Sequence, residues 1–142
     1  MNQAMFLSMM TADEQPFLLS PSCAEAVVTV IFYGREQGWF KLLAFSVLPD
    51  EVQLVVVPQS QEPENILRNV QFETTPLLSA LVRPKGRLWD TRVRMKALRS
   101  QEAVRAQIEN VHRTPVILGR SKRPSDYPFC SANPRFHNNL DS

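Results

Sequence analysis

Short apolar runs broken by polar turns alternate in this chain with apolar positions spaced at a helical period. The run AMFLSMM (4–10) predicts a short strand, and the polar ADEQ after it predicts a turn. Ala24, Val27, Val28, Ile31 and Phe32 fall at i, i+3, i+4, i+7 and i+8, one apolar stripe of a helix. Two starts suit that helix: Ser20 before Pro21, or a capping box of Ser22 with Glu25. Gly34 or Gly38 would end it. FKLLAFSVL (40–48) is apolar on both faces, which predicts a central strand. A Pro-Asp turn then returns the chain as VQLVVV (52–57), completing a hairpin.

Ser60, Glu62 and Pro63 suit a second helix start, with Ile66, Leu67 and Val70 as its apolar face and Pro76 as a kink or break. RPKGR (83–87) is a basic turn. LWDTRVRMKAL (88–98) places Leu88, Asp90, Arg92, Arg94 and Lys96 on one face. Trp89, Thr91, Val93, Met95 and Ala97 take the other, so the pattern predicts a half-exposed strand with a cationic outer face. Ser100 caps a last helix with Val104, Ile108 and Val111 inward, closed by Pro115. The remainder reads as extended coil ending in a disordered tail, residues 133–142, after one domain over 1–132. The order βαββαβ with a helix appended is the ferredoxin-like α+β plan, an antiparallel sheet with helices on one face. That plan alone decides no function.

The 142 residues suffice for one domain with a core. No apolar run approaches the roughly 20 residues of a membrane span, so no membrane partner is expected. The N-terminus lacks the basic start of a signal peptide. Cys23 and Cys130 have neither metal-type nor disulfide-type spacing, which makes a reduced cytoplasmic protein the default. His112 and His137, without a cysteine pair, make no zinc site.

Charge changes the picture more. Residues 1–82 carry three Lys or Arg against nine acids, a net −6, whereas 83–123 carry twelve against three, a net +9. Arg83, Lys85 and Arg87 lie in the basic turn, and Arg92, Arg94 and Lys96 line one strand face. Arg113, Arg120, Lys122 and Arg123 lie at or beyond the end of the last helix. Such a block is either a footprint for phosphates or a solvated basic face. Tyr127 or Trp89 could stack on a base, though Trp89 also suits the core.

Glu51 and Gln53 stand two apart at the start of the returning strand and so share a face. A strand presents paired metal ligands in this way, but a polar start to a buried strand has the same pattern. Four stretches bear on the choice: LLAFSVLPDEVQLVV (42–56), WDTRVRMKALR (89–99), NVHRTPVILG (110–119) and YPFCSA (127–132). In this order they resemble motifs of the single-tyrosine HUH transposases, especially the REP-associated tyrosine transposases. The resemblance covers nearly the whole chain.

It implies DNA transposition chemistry. Two histidines and a third polar side chain hold a divalent ion that polarises a DNA phosphate, and a tyrosine hydroxyl attacks phosphorus. In this frame the histidine positions are Glu51 and Gln53, the tyrosine position is Asn110, and the third ligand position is Thr114. Packing positions such as Phe45, Pro49, Leu54, Trp89, Pro115 and Gly119 keep the frame. Asn110 has no ionisable oxygen. Glu51 with two neutral ligands would hold Mg²⁺ or Mn²⁺ only weakly, so no cofactor is expected. The resemblance therefore implies a DNA-binding relative, of single strands or hairpins, whose strand cleavage has lapsed. Two alternatives stay open: a metal-dependent nicking enzyme rebuilt on Glu51, and an interaction domain forming a homodimer through a sheet edge without nucleic acid.

Overall fold

The computed structural model describes residues 3–142. Strand β1 (Met5–Thr11) leads through two 3₁₀ turns to α1 (Pro21–Glu36), then to the hairpin β2 (Phe40–Val47) and β3 (Glu51–Pro58). Helix α2 (Pro63–Val82), strand β4 (Trp89–Ala97) and helix α3 (Gln101–Ile117) follow. The sheet order is β2-β3-β1-β4, every pair antiparallel. This is the expected ferredoxin-like α+β arrangement.

Alternation builds two cores on opposite faces of the sheet. Leu7 and Met9 of β1 with Val52, Leu54 and Val56 of β3 join Val27, Val28 and Ile31 of α1 and Ile66, Leu67 and Val70 of α2. Phe6, Ala44 and Val55 join Leu98 and Val111 on the other face, with Val104 and Ile108 of α3 against them. Each fully buried Leu, Val or Phe contributes about 1.5–3 kcal/mol. A register shift between Leu42 and Ala44 lets Leu43 and Ala44 both pack toward the second core.

Several local expectations need correction. Helix α1 begins at Pro21 with Ser20 at its N-cap, and no Ser22–Glu25 capping box forms; Glu25 instead pairs with Arg135 at 3.2 Å. Gly34 lies inside α1, where a Cβ would come within 2.5 Å of Trp39, and the turn falls at Gly38 with φ 76°. Pro76 does not break α2: it is exposed, and the carbonyl it leaves without a donor belongs to exposed Phe72. Nor does Pro115 end α3, which runs on to Ile117.

Strand β2 is an edge strand, not a central one. Its apolar faces are explained by the chain end, which covers its outer edge. Val47 N–H donates to Phe129 O at 2.8 Å and Ser131 N–H to Phe45 O at 2.9 Å, and Ser46 pairs with Cys130. The segment 133–142 is accordingly folded rather than disordered. Phe136 is buried against Phe45 with ring centroids 5.0 Å apart. Asp141 accepts from Arg35 at 2.9 and 3.0 Å and from Leu42 N–H at 2.9 Å. Strand β4 is the opposite edge and is exposed on both faces, not one, from Thr91 to Lys96. Among the described residues no helix is long and apolar enough to cross a membrane.

Candidate nucleic-acid interface

The turn before β3 closes with Leu48 N–H donating to Glu51 O at 2.8 Å, while Thr11 N–H binds Asp50 O at 3.0 Å. These bonds set Glu51 and Gln53 on the sheet face that carries Phe6 and Val55. Across the ladder Ser8 of β1 lies opposite Gln53 on one side and Arg94 of β4 on the other. All four side chains meet. Glu51 Oε2 accepts from Ser8 Oγ at 2.6 Å, from Arg94 Nη2 at 2.6 Å and from Gln53 Nε2 at 3.3 Å. Glu51 is 13% exposed at its side chain and Arg94 63%.

The expected Glu51–Gln53 pair is therefore adjacent in space, but one of its oxygens, Glu51 Oε2, is already committed. A divalent ion wants several oxygen ligands. Here one carboxylate carries three hydrogen bonds, one of them from a guanidinium. Gln53 turns its amide nitrogen to Glu51 and keeps Oε1 buried without a partner. The Thr114 hydroxyl donates to Asn110 O at 2.8 Å in its own helix and makes no bond to Glu51 or Gln53. Among the described residues no three His, Cys, Asp or Glu side chains come together as metal ligands. The residues present do not fit the implied ion.

Neither tyrosine is hydrogen-bonded to Glu51, Gln53 or Asn110. Asn110 is exposed on α3. Tyr127 is buried, donates its hydroxyl to Val47 O at 2.7 Å, and is pushed up to about 12 by that burial. Tyr33 is half-exposed on α1, edge-on to Trp39. His112 bonds Ser131 Oγ at 2.7 Å in the second core's margin, and burial lowers its pKa. Tyr127 and Trp89 are both buried, the latter donating to Thr74 Oγ1 at 3.1 Å, so neither offers a base a stacking face.

The ten candidate contact cations among the twelve of the basic block divide by partner. Arg94 pairs with Glu51, Arg92 with Asp90 at 2.9 Å, Arg123 with Asp126 at 3.2 Å, and Arg113 with Glu109 at 3.7 Å. The Arg92 side chain and backbone N–H hold the Asp90 carboxyl down at about 2. Arg83, Lys85, Arg87, Lys96, Arg120 and Lys122 have no acidic partner among the described residues. Arg83, Lys85 and Arg87 line a cleft of about 680 Å³ with Arg92, opposite Asp13, Gln15 and Phe17. Two of its lining residues hold backbone in the left-handed region, with φ 54° at Asp13 and 47° at Arg83.

Sequence reasoning missed Ser8 and the 12–17 wall. Ser8 is the lone hydroxyl in the apolar run AMFLSMM (4–10), and the polar run ADEQ was the only trace of the wall.

No protein-family model and no curated protein matches this chain. Solved structures do. A REP-associated tyrosine transposase bound to a REP hairpin matches with TM-score 0.73 and 19% identity, over 99% of this chain and 83% of that one. A candidate transposase from Deinococcus radiodurans R1 matches with TM-score 0.58 and 18% identity, over 84% of this chain and 92% of the other. At these identities the likeness is one of fold, and by fold this chain is similar to the tyrosine transposases.

Proposed function

We propose that this chain is a transposase-like protein that binds DNA, single-stranded or hairpin, and does not cleave it by tyrosine attack. The observation that carries the binding is the cleft at the start of β4, where Arg83, Lys85 and Arg87 stand without acidic partners. Unpaired cations around a concavity attract phosphates with long-range steering. The fold of a protein solved with a DNA hairpin supports the same reading. The lapse of cleavage rests on Asn110 and on the committed state of Glu51.

Pairing of two β4 edges into a homodimer is disfavoured. An antiparallel pair would bring Arg92, Arg94 and Lys96 of one copy against those of the other on one face, and edge cations oppose such pairing.

The test is anisotropy of a labelled DNA hairpin across a salt series. Affinity is expected to fall steeply with salt, and Lys85→Ala with Arg87→Ala to lower the log–log slope by about 2. No binding at low ionic strength sinks the reading. Incubation of single-stranded DNA with Mn²⁺ is expected to leave it intact. A nick lost in Glu51→Ala would restore the enzyme.

A further inference from the structure

Glu51 is nearly buried, yet its charge is answered by an arginine that is mostly exposed. The arrangement has a direction. One nitrogen of the Arg94 guanidinium is tied inward, 2.6 Å from Glu51 Oε2. The Phe6 ring lies beneath, its centroid 6.0 Å from Cζ. Glu51 is itself fixed by Ser8 and Gln53. Nε and Nη1 of Arg94 have no partner among the described residues. A guanidinium pinned at one corner and over one ring presents its remaining N–H groups in a set plane. That is the geometry suited to a tetrahedral oxyanion.

A single surface ion pair would contribute little to stability. This one is different in kind, because three donors converge on one carboxylate oxygen while the buried Gln53 Oε1 goes unpartnered. The orphaned Gln53 Oε1 and the Glu51 carboxylate are oxygens that could face a cation. The cation present is the side chain of Arg94.

We infer that Arg94, held by Glu51 and Phe6, is a built-in cation that keeps a divalent ion from Glu51 and seats a DNA phosphodiester on this sheet face. The phosphodiester part rests on the DNA-binding reading; the exclusion of metal does not. Glu51 is then a positioning residue, and Lys96, two residues along the same face and without an acidic partner among the described residues, extends the seat.

The test uses the full chain and a short single-stranded oligonucleotide at fixed low salt. Wild type is expected to bind equally with EDTA and with Mn²⁺. Arg94→Met should weaken binding about tenfold, and Arg94→Lys should not restore it, because a point charge lacks the planar fork. Glu51→Gln is the sharpest arm. It removes a negative charge, so simple electrostatics predicts tighter binding, whereas a positioning role predicts weaker binding. Tighter or unchanged binding in Glu51→Gln, or an unchanged Arg94→Met, overturns the seat while leaving DNA binding intact. Wild type that binds no oligonucleotide overturns the DNA reading and the seat together.

A second arm needs no DNA. Mn²⁺ titration followed by paramagnetic broadening of backbone resonances should leave Ser8 and Glu51 sharp in wild type and broaden them in Arg94→Met. Broadening in wild type, or none in either protein, overturns the exclusion of metal by Arg94.

Discussion

The two edges of the sheet are built to opposite ends. Strand β2 is covered on both faces, and its outer edge is closed by the chain end through Val47, Phe45 and Cys130. Strand β4 is bare on both faces from Thr91 to Lys96, and its side chains there are mostly cationic or polar. The covered edge holds the aromatic cluster of Phe32, Phe45 and Phe136. The bare edge borders both the cleft and Arg94. Stability is concentrated in one half and accessible charge in the other, so changes in the two halves should separate in experiment.

The largest expected effect is in the covered half. Phe45→Ala or Phe136→Ala should each cost about 3–5 kcal/mol in urea denaturation, because both are buried and each leaves a cavity against the other. A small loss at Phe136 would show the chain end to be unanchored and weaken the comparison. Next comes Asp141, which ties that end to Arg35 and Leu42. Asp141→Asn should cost about 1–2 kcal/mol. The Arg35 guanidinium lowers the Asp141 pKa, so the stabilisation is present above the ordinary aspartate value and is lost as pH falls through the folded one.

His112 gives a milder pH effect on the same latch. Ser131 Oγ accepts the Phe45 N–H at 2.9 Å, so its own hydrogen is available to His112 Nε2, which suits an unprotonated ring. Burial lowers the pKa below the usual imidazole value of about 6.5. The unfolded chain therefore binds the proton first, and stability should decline as pH falls below about 6.5. Thermal melts of His112→Gln should show a flatter profile over that range. The smallest effect belongs to β4. Met95→Ala, at an exposed site, should change stability by no more than about 0.5 kcal/mol. A loss comparable to Phe45→Ala would abolish the contrast between the edges.

Much of this was legible in the chain before folding. Element order, the hairpin at Pro49–Asp50, the Ser100 cap and all three apolar helix stripes follow from local periodicity and capping chemistry, which act over a few residues. The face shared by Glu51 and Gln53 was legible because strand alternation places them together whatever the rest does. Strand centrality failed because an apolar pattern reports burial, not which element does the burying. Here the chain end covers β2 in place of a neighbouring strand. The tail's polar, proline-rich composition concealed one anchoring phenylalanine and one paired aspartate.

By itself the amino-acid sequence determined the ferredoxin-like order, the asymmetry of charge, and the shared strand face of Glu51 and Gln53. Only the tertiary structure decided which cations are paired and which are open, that Arg94 of β4 answers Glu51 of β3 across β1, and that both sheet edges differ so sharply. The Arg94–Glu51 contact joins residues 43 positions apart, and its pairing depends on register and docking, which no local pattern encodes.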